Sequence, residues 1–266
     1  MKINCLLENI KNAVVAAERI TSKNQTLPVL ASLFIGTEKD KIKIRSTNLE
    51  LALEMDISGK IQETGSVIVP AKALSSFLSN ISGEQVLMES KKNNFYIKTK
   101  TTETTIRGYP PEDFPIFPKT EPTDKFKVFG VEIKNAISSV ILAASVSDVK
   151  PELASVFFNI FKNTIKIVAT DSFRLAEKTI TSKNIYSDKQ ISFLVPQKTI
   201  SEIIRVLDKH AGEAEFGVNK NQIIILFPGV KFISRLTEGN FPDYDQIIPK
   251  EFKTEEIGRA SCRERV

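Results

Sequence analysis

Apolar residues recur along this chain with two periods. In LENIKNAVVAAERI, Ile10, Val14 and Ala17 share one helical face and Val15 and Ala16 sit beside it, while Lys11 and Arg19 fall elsewhere on the circle. A short strand, Lys2 to Cys5, precedes this helix, and Leu27 to Ile35 reads as another strand. KIKIRST alternates lysine or arginine with isoleucine, the pattern of a half-buried strand, and LELALEMDI alternates again. SVIVP is strand-like, and PAKALSSFLSNIS begins a helix with Pro70 beside its first turn. QVLMES, NNFYIKTK and TTIRG follow as strands separated by turns. The same order then recurs, with VEIKNAISSVILAAS and PQKTISEIIRVLDKH as the second pair of helices. The pattern predicts an α+β fold built twice, each unit packing two helices on antiparallel sheet.

The recurrence is visible residue by residue. At an offset of 123, residues 2–47 match 16 of 46 positions without a gap. Chance would give about three, at roughly one match in sixteen. Ile10-Lys11-Asn12-Ala13 falls on Ile133-Lys134-Asn135-Ala136, and Pro28, Leu30, Ala31, Ser32 and Phe34 fall on Pro151, Leu153, Ala154, Ser155 and Phe157. An offset of 126 places Val69, Pro70 and Lys72 on Val195, Pro196 and Lys198. An offset of 127 places Phe114-Pro115 on Phe241-Pro242. A unit of this size is a domain with its own core, too long for a solenoid repeat. The expected division is 1–119 and 120–248, with the join near PKTEPTDK, and 249–266 as the stub of a further unit. GRASCRERV lacks any strand or helix period, and 256–266 is expected to be a non-native or out-of-frame tail.

Composition narrows the chemistry. Cys5 and Cys262 lie at opposite ends, so no disulfide framework is expected and a reducing, cytoplasmic compartment is the default. No signal peptide is read at the N-terminus, where Glu8 interrupts the apolar stretch. One histidine, His210, excludes paired-histidine metal sites; it stands after a helical pattern and before a glycine, where it favours the helix C-terminus. No CxxC, GxGxxG or GxxxxGK[ST] motif occurs. No metal or cofactor is expected. The net charge of +5 permits a nucleic-acid partner without demonstrating one. Lys11 and Lys134 are repeat equivalents, as are Lys72 and Lys198, and Arg205 stands on the same helix as Lys198. Equivalent lysines facing a common axis would form a positive lining suited to phosphates without base readout.

ATDSFRLA, Ala169 to Ala176, resembles the ATDxxRLA segment of the bacterial DNA polymerase III beta subunit, the sliding-clamp family. LPVLASLFI, STNLE, VPAKAL, PPEDFP and EGNFPDYDQIIP resemble the same family, in order, from Met1 to about Lys250. The resemblance implies chains of three similar domains, two of which close into a ring with helices inside and sheets outside. It implies a non-catalytic processivity factor that encircles duplex DNA and tethers the replicative polymerase, in the cytoplasm on the nucleoid. The clamp loader and other proteins carrying clamp-motif peptides are the further partners implied, and the full-length chain is a homodimer. Because a ring contact joins a first domain to a third, the present stretch alone is not expected to close a two-chain ring.

By the same resemblance the peptide cleft falls on Leu153, Thr170, Ser172, Phe173, Arg174, Leu175, Pro242 and Ile247. The DNA-facing positions are Lys11, Lys23, Asn24, Lys72, Lys134, Lys150, Lys198 and Arg205. The chain departs from the family where Phe173 replaces a histidine and where Asn24 replaces a basic residue, with Lys23 adjacent. Read without the resemblance, Leu153 and Leu175 are ordinary core strand residues. Two rivals remain: a nuclease or transferase using Asp113, Asp171, Asp243 and Asp245, and a peptide-binding scaffold that never encircles DNA.

Overall fold

A computed structural model describes residues 1–22, 27–116, 121–182, 185, 187–208, 212–246 and 248. The first repeat runs β1 (Lys2–Leu6), α1 (Leu7–Ile20), a 3-10 turn (Pro28–Ala31), β2 (Ser32–Glu38), β3 (Lys41–Thr47), β4 (Leu51–Ile57), β5 (Gly59–Glu63), β6 (Ser66–Pro70), α2 (Ala71–Asn80), β7 (Gln85–Lys91), β8 (Asn94–Lys98) and β9 (Glu103–Arg107). The second runs β10 (Asp124–Phe129), α3 (Gly130–Val140), β11 (Ser155–Lys162), β12 (Thr164–Thr170), β13 (Leu175–Thr181), β14 (Ser187–Pro196), α4 (Gln197–Leu207), β15 (Glu213–Val218), β16 (Gln222–Phe227) and β17 (Val230–Arg235). A last 3-10 turn covers Tyr244–Gln246.

Two expectations at element ends are corrected. Leu27 to Ile35 is not all strand: the 3-10 turn comes first, and β2 begins only at Ser32. Pro28 fixes the start of that turn, and the Ser32 hydroxyl donates back to the Pro28 carbonyl at 3.2 Å, drawing the chain into the turn. Ser155 repeats this bond to Pro151 at 2.7 Å. The third helix also stops at Val140 and tightens into a 3-10 turn at Ile141–Ala143.

The helices bury the faces their sequences prescribe. Leu7, Ile10, Ala13, Val14, Ala17 and Ile20 of α1 are buried. On α4, Thr199, Ile200, Ile203 and Leu207 are buried, leaving Lys198, Glu202 and Arg205 on the opposite stripe. In β12, Ile165, Ile167 and Ala169 join the core, with Ile160 and Phe158 opposite them in β11 and Ile180 and Ala176 in β13 packed against it.

The sheets contain what the sequence pattern did not predict. A five-stranded sheet has the order β5-β1-β7-β8-β9 and a four-stranded sheet the order β13-β12-β11-β14. Between them an eight-stranded sheet, β10-β15-β16-β17-β4-β3-β2-β6, takes half its strands from each repeat. The junction is the antiparallel pair β17 and β4, with Phe232 opposite Leu53 and Ile233 opposite Ala52. Phe232 and Leu53 are fully buried in the main core, and Ala52, Ile224 and Ile233 form a small cluster of their own. The two repeats therefore share one sheet.

Helix α1 packs on α2, and α3 on α4. A small cavity between α1 and α4 is lined by Val15, Ala16 and Arg19 on one side and Glu202, Arg205 and Val206 on the other. The helices thus form a layer in the order α2-α1-α4-α3.

Cys5 is 4% exposed, and burial pushes its thiol up to about 12. We expect iodoacetamide to label Cys5 slowly at pH 8 in the folded chain and rapidly in denaturant, since only the thiolate reacts. Residue-resolved mass spectrometry checks this.

Candidate functional site

The alternation of β11 to β14 leaves a second face on their sheet, away from the helices. Phe157 stands opposite Val168 and Leu194, Val168 opposite Glu177, and Thr170 opposite Leu175. The segment after β17 crosses this face. Thr237 donates its amide to Leu194 at 2.9 Å and its hydroxyl meets that of Ser155 at 2.7 Å. Phe241 then stacks on Phe157, with ring centroids 4.8 Å apart. Tyr244, buried, donates its hydroxyl to Glu177 at 2.6 Å. Burial, and then that bond, push the phenol up. Pro242 is thereby held on the sheet beside Phe241.

The hairpin Asp171–Arg174 joins β12 to β13 at one end of this face. Thr170, 4% exposed, donates its hydroxyl to the Arg174 carbonyl at 2.8 Å and accepts from the Ser172 amide at 3.1 Å. Asp171 accepts the amides of Phe173 at 3.0 Å and Arg174 at 2.9 Å, and the Arg174 guanidinium at 2.9 Å. The Arg174 and Phe173 amides hold the Asp171 carboxyl below its ordinary range. Ser172 sits at φ 77°. The effect of this clamp is to expel Phe173, which is 97% exposed.

Leu153 is 7% exposed yet lies outside the main apolar core, as does half-buried Leu175. These two leucines are therefore not core residues of the helix-packed side. The hairpin brings Thr170, Ser172, Phe173, Arg174 and Leu175 together, with Pro242 on the crossing segment. Ile247 lies outside the described residues.

Asp171 gains its partners only when folded, and its folded-state pKa is lowered. Its contribution is therefore complete above the ordinary carboxylate range and is lost as pH falls through the folded value. We expect the Phe173 and Arg174 amides to exchange faster in Asp171→Ala at neutral pH, and the two proteins to converge on acidification. Hydrogen exchange followed by NMR checks this.

The first repeat builds the same hairpin. Thr47 donates to the Leu51 carbonyl at 2.9 Å and accepts from Leu49 at 3.0 Å. Asn48 accepts the amides of Glu50 at 3.0 Å and Leu51 at 2.7 Å. Leu49 sits at φ 75°. Here the loop abuts the second repeat, since the Arg235 amide donates to the Glu50 carbonyl at 2.9 Å.

On the helix layer, three of the cations expected to form a positive lining have carboxylate partners. Lys134 pairs with Asp208 at the end of α4, Lys198 with Asp148 at 2.6 Å, and Arg205 with Glu202. Lys11 reaches the Ser79 carbonyl of α2 at 3.4 Å, on the flank that also carries Lys72. Lys134, Lys198 and Arg205 are thus each answered by a carboxylate. Repeat matching counts only the equivalent lysines; Glu202 and Asp208 stand on α4 and at its end, and Asp148 comes from a loop. Lys150 is exposed, and its carbonyl accepts from Leu153 and Ala154. Lys23, Asn24 and His210 lie outside the described residues.

Arg19 was missed by the repeat argument because its counterpart is Leu142. It is exposed, lines the α1–α4 cavity, and forms no ion pair among the described residues. The four aspartates do not converge. Asp113 ends a 3-10 turn, Asp171 is bound to Arg174, and Asp243 accepts from Gln246 at 2.6 Å. Among the described residues no cluster of three metal-ligating side chains occurs.

Family models match both repeats in order. Residues 1–118 match the N-terminal domain of the DNA polymerase III beta subunit, and residues 127–243 match its central domain. The chain belongs to the DNA polymerase III beta subunit family. It is 25% identical over 241 residues to the beta sliding clamp of Staphylococcus aureus, covering 87% of this chain and 63% of that protein. The beta sliding clamp of Staphylococcus epidermidis is 24% identical over the same coverage. The chain thus spans 63% of the length of these curated relatives. Among solved structures, the Pseudomonas aeruginosa clamp bound to griselimycin superposes with a TM-score of 0.91 at 24% identity, over 95% of this chain and 69% of that one. The Helicobacter pylori beta clamp bound to a DNA ligase peptide gives 0.86 at 21% identity, over 95% and 71%. Both show the sliding-clamp fold.

Proposed function

We propose that these two repeats are the first two domains of a sliding clamp, a non-catalytic processivity factor that encircles duplex DNA and docks partner peptides. The observation that carries this reading is the β4–β17 junction. It joins successive repeats through a continuous sheet and keeps all four helices in one layer. Applied again, the same junction would add a third unit at β13, the repeat equivalent of β4, and another chain at β9, the equivalent of β17. Both strands are sheet edges in this structure. A wall propagated in this way, sheets outside and helices inside, is how a ring closes.

The helix layer fits a ring that slides. A strongly cationic lining would dwell on each phosphate, whereas paired charges keep the contact weak and independent of sequence. The hairpin at Thr170–Leu175, with Leu153, Pro242 and exposed Phe173, suits one or two hydrophobic anchors of an extended peptide. The replicative polymerase and the clamp loader are the partners we assign to it, in the cytoplasm on the nucleoid.

Retention on DNA tests the reading. The protomer completed by a third unit, loaded on closed circular duplex, should stay bound through gel filtration and be released when the circle is cut. Peptide binding without such retention would favour a scaffold that never encircles DNA. Release from circles and linear molecules at the same rate would overturn the clamp reading.

A further inference from the structure

The twin hairpins raise a question about the first repeat, because its copy opens onto a cavity. About 570 Å³ lies at the seam of the two repeats, within the size range of ligand sites. Its apolar wall is Leu51, Pro151, Pro196 and Leu236. Arg19 and Arg235 enter it from different repeats, and neither forms an ion pair among the described residues. The other charges there are mostly satisfied: Lys198 is held by Asp148 and Glu202 by Arg205. Among the described lining residues, Glu50 is the one carboxylate without an ion-pair partner that opposes the two arginines.

At the rim, Leu49 stands between cavity-lining Asn48 and Glu50. It is 53% exposed and held at φ 75°. A branched apolar side chain is costly in the left-handed region, where asparagine or glycine is the easy choice. Here it presents an apolar group to solvent from the loop that lines the cavity.

We propose that this seam is a second peptide-docking site, taking an extended peptide that carries a carboxylate next to aliphatic side chains. Leu49 and the wall of Leu51, Pro196 and Leu236 receive the aliphatic anchors, and Arg19 and Arg235 receive the carboxylate. The proposal rests on the reading of the second-repeat hairpin as a peptide site, since the two hairpins share one geometry. It adds a site at the junction of β17 and β4 in the shared sheet, whereas the second-repeat hairpin belongs to the four-stranded sheet.

The test is a fluorescence anisotropy titration of the chain with a labelled leucine-aspartate-leucine-leucine peptide. The background is Arg174→Ala with Leu175→Ala, which disables the second-repeat hairpin. Residual binding should remain, and Arg235→Glu, Arg19→Glu or Leu49→Asn should each weaken it at least about tenfold, a loss of about 1.4 kcal/mol. Leu49→Asn keeps the backbone at ease, and circular dichroism reports folding for all variants. Binding abolished by the background alone would overturn the seam site and leave the clamp reading intact. No binding by the unmodified chain at millimolar peptide would remove both. Displacement of the peptide by a short duplex, with the same arginines required, would make the seam a phosphate site and overturn the proposal.

Discussion

Phe232→Ala is expected to destabilise the chain by about 3–5 kcal/mol, the cost of deleting a fully buried phenylalanine. Phe232 has no exposed surface and stands opposite Leu53, also without exposed surface, across the junction of the repeats. It therefore serves the core of the second repeat and the seam together. Typical domain stability is about 5–15 kcal/mol, so this single change removes a large share of it. Because β4 loses its partner at the same point, the two repeats should also uncouple, giving a broader or two-step urea transition. Phe161→Ala is the control, at a side chain that is 47% exposed. A loss below about 1 kcal/mol with one sharp transition would mean that the cavity is refilled and the junction is not held by this side chain.

The second large effect concerns charge. Removing Asp148, Glu202 and Asp208 together, as D148N, E202Q and D208N, should strengthen duplex binding and steepen its salt dependence. Each carboxylate holds a helix-layer cation: Lys198, Arg205 and Lys134 in turn. Freed cations bind phosphate and release counterions, adding a slope of about 0.9 per contact and up to about 2.7 for three. Affinity at low salt should rise about tenfold or more, while a clamp built from this variant should diffuse more slowly along DNA. Each pair has at least one exposed partner and is individually weak, so breaking them should cost little stability. Anisotropy titrations with a duplex over a range of salt decide it. An unchanged slope would show that these cations already exchange their carboxylates for phosphate.

Much of this was legible in the chain itself. The duplication followed from matched residues, and the helices from the spacing of Ile10, Val14 and Ala17 and of their counterparts in α3. Alternation placed β3 and β4, because a strand with one buried face must repeat every second residue. ATDSFRLA and FPDY located the hairpin and the segment that crosses its sheet. In the Asx turn at Asp171, local hydrogen bonding fixes the loop whatever surrounds it. The turn at Pro28–Ala31 was misread as strand because a single serine-to-carbonyl bond outweighed an apolar run.

What only the tertiary structure decided is long-range. β17 and β4 are far apart in sequence, and each alternates as any edge or central strand would, so nothing local says that they pair. Leu153 and Leu175 look like core strand leucines in sequence, but Leu153 lies in the turn before β11, and the face that Leu175 takes on β13 depends on the pairing of β12 with β13. The neutralisation of Lys198 by Asp148 joins a helix to a distant loop, and periodicity cannot report charge arriving from outside the helix. The seam cavity with Arg19 and Arg235 exists only because two repeats meet there. Local rules act through hydrogen bonds and side-chain direction over a few residues, and those the sequence carries in full. Strand pairing, ion pairing and cavities are set by which surfaces meet, and that is determined by the packing of the whole chain.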